Sequence, residues 1–292
     1  MTLVADIQRT FAAAGVSGTL HAVRIDDPSS CVHVDADDPV VMASVYKLPV
    51  IVAFSRAVDR GTLDPARPVT LEAGERTPGL TGVAAMSDAI TMSWRDLARS
   101  MITVSDNAAG DALLDALGLP AVAEALDAAK LTSTTVLGGT RHVHSLLLED
   151  LGGHGIVQAM QRLADNDHPA ATRALDPLLA SATTARDMTR LLTAIWTDAV
   201  ASPGQCAFMR DVLFQQIWPH RLASGFPYAG ATVAGKTGTL GPLRHEVGVV
   251  QHRHEPPVAV AVFTRAARAD RRLPAVDAAI GAAARLAVST LR

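Results

Sequence analysis

Residues 42–54 read MASVYKLPVIVAF. A helical pattern begins here, with Ser44 and Lys47 three positions apart at its head. On a helix that spacing puts two side chains on one face, so a hydroxyl and an amine can look into the same cleft. A serine hydroxyl is a poor nucleophile until a neighbour takes its proton. Lysine can take it only when burial or a nearby cation has lowered its pKa. Moving that pKa from about 10.4 to about 7 requires roughly 5 kcal/mol against the charged form. Near a helix start, the backbone N–H of Ser44 is also free to meet a developing oxyanion. Pro49 opposes a regular helix, because an interior proline removes a hydrogen bond, and a local distortion is expected beside it. Taken alone, S-x-x-K is a spacing that a surface helix can carry by chance.

Two further stretches change its weight. Ser105-Asp106-Asn107 falls between two helical segments and offers a hydroxyl and an amide at one turn. In isolation a helix N-cap explains it, since Ser, Asp and Asn all favour that position. Lys236-Thr237-Gly238-Thr239 lies in a strand-like segment, where alternation turns 236 and 238 one way and 237 and 239 the other. Gly238 would admit a close approach by another backbone or by a substrate. Composition sharpens all three. Of the 26 basic residues only Lys47, Lys130 and Lys236 are lysines, and the asparagines are only Asn107 and Asn166. Where the chain wants a generic positive charge it uses Arg, so a lysine is a candidate for work that requires giving up a proton.

The order S-x-x-K, S-D-N, K-T-G, with helical sequence around the first two and a strand under the third, resembles the class A β-lactamases and related penicillin-recognising serine enzymes. The resemblance runs from the Ser17 strand to the Pro257 strand. It implies that Ser44 is an acylated nucleophile, Lys47 its proton partner, and Ser105 the hydroxyl that passes a proton to the leaving nitrogen. Asn107 resembles the amide that holds a substrate's side-chain amide. Lys236 and Thr237 resemble binders of a substrate carboxylate. The N–H groups of Ser44 and Thr239 resemble an oxyanion hole, with Gly238 beside it. Arg244 is a looser match to a guanidinium that reinforces the carboxylate site.

The implied activity is that of a serine hydrolase, which forms an acyl-enzyme at Ser44 with β-lactams or related amides and esters and then hydrolyses it. The alternative is a penicillin-binding or sensor-like protein that acylates and barely turns over, or a DD-peptidase, esterase or acyltransferase of the same build. The implied partner is a small molecule carrying a carboxylate; no cofactor is implied, and a monomer is expected. The family also carries a loop Glu three residues before Leu-Asn, and this chain has no E-x-x-L-N. Residues 140–153, TRHVHSLLLEDLGG, offer Glu149 and Asp150 as the nearest carboxylates. Glu149 is the candidate catalytic base, and a plain surface-loop role for both acids is the simpler expectation. The pairs His142/His144 and His252/His254 lack further ligands at metal spacing, so no metal is expected.

Working outward, residues 3–14 read as an amphipathic helix, 17–25 and 31–36 as the strands of a hairpin, and 44–200 as largely helical. Strands return at 231–240, 245–252 and 257–264, and 273–291 reads as a closing helix. The expected class is α+β: a five-stranded antiparallel sheet flanked by terminal helices, with an inserted all-helical lobe. Residues 1–43 with 200–292 would form one lobe and 44–199 the other, the site lying in the cleft between them. At 292 residues, 49% hydrophobic and 19% charged, the chain can bury a sizeable core. A net charge of −3 gives no basic surface for nucleic acid, and no apolar run is long enough to span a bilayer. The first 15 residues carry Asp6 and Arg9 within the apolar stretch, unlike a secretory leader. A cytoplasmic protein is therefore expected, or an exported one whose leader has been removed. Two cysteines, Cys31 and Cys206, are no disulfide framework and are expected to be free.

Overall fold

The structure is a computed structural model that describes residues 2–169 and 171–292. Helix α1 (Leu3–Ala13) is capped by Thr2 and buries Ile7 and Phe11, one turn apart on a single face. Strand β1 (Val16–Arg24) follows, and a turn in which Asp27 accepts from Ser29 returns the chain as β2 (Cys31–Val34). A two-residue strand β3 (Val40–Val41) leads into a 3₁₀ turn over Ala43–Tyr46 and then helix α2 (Lys47–Asp59). Between α2 and α3 (Trp94–Thr103), the short strands β4 (Pro68–Leu71) and β5 (Ile90–Ser93) pair antiparallel. Helices α4 (Asn107–Leu117), α5 (Leu119–Ala128), α6 (Thr140–Leu151) and α7 (Ile156–Leu163) come next. Strand β6 (Ala182–Thr183) pairs with β3, and helices α8 (Ala185–Trp196) and α9 (Pro203–Phe214) follow. The chain closes with β7 (Ala231–Leu240), β8 (Leu243–His252), β9 (Val258–Ala266) and α10 (Pro274–Thr290).

The five long strands form one antiparallel sheet in the order β2-β1-β9-β8-β7, with α1 and α10 on one face. This is the α+β arrangement expected from the sequence. Strand β9 lies at the centre and is buried on both sides. Val258, Val260 and Val262 pack towards α1 and α10, while Ala259, Ala261 and Phe263 join the core on the other face. That accounts for a nearly unbroken apolar run where a one-sided strand would alternate. Helix α2 is buried from Lys47 to Ser55, so it is apolar all round, as a central helix must be.

The distortion expected near Pro49 lies on its N-terminal side. The 3₁₀ turn ends at Tyr46 and α2 begins at Lys47. Pro49 therefore sits in the first turn, where backbone N–H groups have no helical partner to lose. Helical sequence also runs past Val200, through α9 to Phe214.

Residues 140–151, expected as a loop, are helix α6. Leu147 and Leu151 fall one turn apart and pack with Leu146 against Ala159 and Leu163 of α7. Gly152, at φ 68°, ends the helix in a conformation costly for other residues. Both cysteines are free. Among the described residues no helix is long and apolar enough to cross a membrane, and no cluster of three or more side chains is suited to a metal ion.

Candidate active site

Three segments converge on one point: the 3₁₀ turn bearing Ser44, the turn between α3 and α4 bearing Ser105, and strand β7. The approach to Ser44 is tightly set. Met42 donates its N–H to Ser181 O at 2.9 Å, and Ala43 holds a φ of 45°, which a residue with a side chain adopts only under constraint. In a 3₁₀ turn, residues i and i+3 eclipse, so Lys47 lies directly over Ser44. Its Nζ is 3.5 Å from Ser44 Oγ.

Lys47 Nζ also donates to Ser105 O at 2.7 Å and to Asn107 Oδ1 at 3.0 Å, with Ser105 Oγ at 3.4 Å. Burial brings its pKa down to about 7, although the charges of Asp106 and Asp111 pull the other way. A neutral amine has two N–H donors and one lone pair. The two short bonds use both donors, which leaves the lone pair for the Ser44 hydroxyl. Lys236 Nζ donates to Ser105 Oγ and to Thr237 O, both at 2.9 Å. Burial and the neighbouring Lys47 charge hold its pKa well below the usual lysine value.

Ser105 has φ 59°, and Asp106 holds it there. The Asp106 carboxylate is fully buried. Its Oδ1 accepts from the N–H groups of Ala84, Ala108 and Ala109, and its Oδ2 from Val83 N–H and Ser100 Oγ. Its role in this turn is that of a staple. The Asn107 amide accepts from Lys47 and, at 3.3 Å, from Thr140 Oγ1, and donates to Pro78 O.

Strand β7 ends the sheet, so its outer N–H groups have no strand partner. One of them, on Thr237, is capped by Gln216 Oε1 at 2.6 Å. The Thr239 N–H, two residues on, shares that edge. Gly238 lies against the nucleophile turn: a Cβ there would come 2.9 Å from Met42 O and 3.0 Å from Val45. The close approach foreseen for Gly238 is thus made by a backbone.

The structure therefore brings Ser44, Lys47, Ser105, Asn107, Lys236, Thr237, Gly238 and Thr239 together. Two expected residues are elsewhere. Glu149 is 61% exposed on α6 and pairs with Arg173 at 2.7 Å, which also holds Asp150. Helix formation turns both acids outwards, because the leucines of α6 claim the inner face. Arg244 is buried, and its guanidinium donates to the carbonyls of Gly241, Leu243, Asp270 and Arg271. The cation on Thr239 is Arg221, whose Nη2 donates to Thr239 Oγ1 at 2.8 Å.

The start of α6 meets the site through Thr140, which bonds Tyr46 OH as well as Asn107. Asp111 Oδ2 ties the same end down by accepting from Arg141 N–H and Thr77 Oγ1. One turn beyond Thr140 stands His144, half-buried. Burial lowers its pKa, with the Asp111 charge opposing and the Lys47 charge adding to the effect. Sequence reading weighed His144 only as half of a metal pair and passed over Arg221 and Gln216. Their partners lie far along the chain, and nothing local marks them.

The sequence profile described as the β-lactamase enzyme family matches residues 2–291, and the chain belongs to that family. A curated relative, the β-lactamase regulatory protein BlaB of Streptomyces cacaoi, is 28% identical over 274 residues, covering 89% of this chain and 88% of its own. Among solved structures, a β-lactamase from Sphaerobacter thermophilus is 24% identical with a TM-score of 0.78, covering 99% of this chain and 95% of its own. An ancestral class A β-lactamase reaches a TM-score of 0.80 at 22% identity, covering 99% of this chain and all of its own.

Proposed function

We propose that the protein is a serine acyl-enzyme that takes β-lactams, or related amides and esters bearing a carboxylate, onto Ser44 and releases them slowly. One observation carries this reading. The acylating groups are assembled within hydrogen-bonding reach of each other, while the two carboxylates that the sequence offers near the expected base, Glu149 and Asp150, are both paired with Arg173, and Glu149 is turned to solvent.

In this reading Lys47, neutral in a substantial fraction near pH 7, takes the Ser44 proton as Oγ attacks the carbonyl carbon. The N–H groups of Ser44 and Thr239 receive the oxyanion. As the C–N bond breaks, Ser105 gives its proton to the leaving nitrogen and is resupplied by Lys47, 3.4 Å away. Lys236 holds the Ser105 hydroxyl and, with Thr237 and Arg221, faces the substrate carboxylate. Substrate enters between residues 44–199 and the lobe formed by 1–43 with 200–292. The acyl-Ser44 ester then waits for water without Glu149 to position it, and losing a positioned general base costs about 10²–10⁴ in rate.

The likeness to a relative named as regulatory favours a lasting adduct, whereas the family's name favours turnover. A chromogenic cephalosporin separates them. The expected trace is a burst of about one equivalent followed by a slow line. A linear trace at catalytic speed, with no burst, would refute slow deacylation.

A further inference from the structure

The segment between α9 and β7 packs against β7 and β8 and is fastened to them at three points. Gln216 Oε1 accepts Thr237 N–H at 2.6 Å. Arg221 donates to Gly238 O, His245 O and Thr239 Oγ1. Leu222 N–H donates to Glu246 Oε2 at 2.7 Å. Glu246 also accepts Gln216 Nε2–H on Oε1, at 2.6 Å. It is 1% exposed and stands opposite Thr237 in the β7–β8 register. Its carboxylate therefore touches both ends of the strap.

A glutamine amide has one accepting end and one donating end, and Glu246 decides which faces the strand. With Glu246 ionised, both of its oxygens are acceptors. The amide must then present Nε2 to Glu246 and Oε1 to Thr237 N–H. A proton added to either Glu246 oxygen meets an N–H donor already in place, from Gln216 or from Leu222. Losing the charge weakens both bonds and frees the amide to turn, which would set Nε2–H against Thr237 N–H. The pair packs against Gly235, where a Cβ would come 2.8 Å from Glu246 Oε1 and 3.3 Å from Gln216 Nε2.

We propose that Glu246 is a positioning residue for acylation, acting through Gln216: as an anion it orients the Gln216 amide to cap Thr237 and so holds β7, with Lys236 and the Thr239 N–H, in register with Ser105 and Ser44. The proposal rests on the acylation reading of the site. Burial raises the Glu246 carboxyl to about 7, while the Leu222 N–H, the Arg221 and Lys236 charges and the Gln216 amide oppose that rise. Arg221 is in turn paired with Asp277 of α10 at 2.7 Å. The clip thus switches in the same pH range as Lys47. Two groups must then be deprotonated for fast acylation, and the rate should fall with a slope approaching two per pH unit on the acid side.

Four variants and two readouts test this. In the wild type, the Thr237 backbone amide resonance should titrate near pH 7, and in Glu246→Gln it should not. Glu246→Gln should lower the acylation rate at pH 8 about tenfold or more and reduce the acid slope to one, whereas Glu246→Asp should keep the slope of two. Gln216→Ala, at a half-buried strap position, should reproduce the loss. Adding Glu246→Gln to it should cost nothing more, as expected of residues acting as one unit. Additive losses, or an unchanged slope in Glu246→Gln, would overturn the proposal. If the wild type takes no acyl label, the acylation reading fails, while a Thr237 resonance that does not titrate still refutes the clip.

Discussion

Replacing Lys47 with Met should remove a pH-dependent burden on stability and leave the protein unable to acylate. The lysine is fully buried, and its folded pKa of about 7 lies well below the usual 10.5. Between those values the unfolded chain binds a proton that the folded chain does not, so stability rises with pH across that window. At pH 6.5 the burden of Lys47 relative to a neutral side chain is on the order of 4–5 kcal/mol, and at pH 10 it is under about 1 kcal/mol. Met fills a similar volume without the charge. It forfeits the bonds to Ser105 O and Asn107 Oδ1, at about 1–3 kcal/mol for each acceptor left unpaired. That cost is the same at every pH, so the cleanest quantity is the change with pH. The stability difference between Lys47→Met and wild type should fall by about 4 kcal/mol from pH 6.5 to pH 10. Equilibrium urea denaturation at four or five pH values measures it. A difference flat with pH would mean that Lys47 keeps an ordinary pKa, and the lone-pair account of Ser44 activation would fail with it.

Glu149→Gln should leave the lifetime of the acyl-Ser44 adduct unchanged, because that side chain faces solvent and Arg173; mass spectra taken over hours would reveal any lengthening. Gly238→Ala should push β7 away from Met42 O and Val45, costing about 1–3 kcal/mol in chemical denaturation and slowing acylation, whereas retained rate and stability would show that the close approach is not required. In a Glu246→Gln background, acylation should rise about tenfold from pH 6 to pH 8 as Lys47 loses its proton, and stopped-flow labelling across that range would expose a pH-independent rate if another group were the base.

Much of this was legible because the motifs are short. Ser44 and Lys47, or Lys236 and Thr239, lie within one turn or one strand, and helix and strand periodicity alone fixes their common faces. Strand β9 and helix α2 were legible for a similar reason, since their apolar runs leave little choice. Helix α6 was not, because Gly139 offers no capping side chain and its first turn is polar. Once it is a helix, Glu149 must point away with the exposed face. Arg221, Gln216 and Glu246 could not be found from spacing either. They are brought to β7 by the antiparallel pairing with β8 and by the strap behind it. An acid within the apolar strand HEVGVV was the one visible sign of Glu246.

The central claim is that Ser44 is acylated and stays acylated. Intact-protein mass spectrometry during incubation with benzylpenicillin, followed by peptide mapping, tests it directly. The account predicts a stoichiometric mass increase equal to one whole penicillin, located on the peptide containing Ser44, persisting for many minutes after free drug is removed and absent in a folded Ser44→Ala variant. An adduct that forms equally in Ser44→Ala, or a wild type that never carries one at any time point, would contradict it.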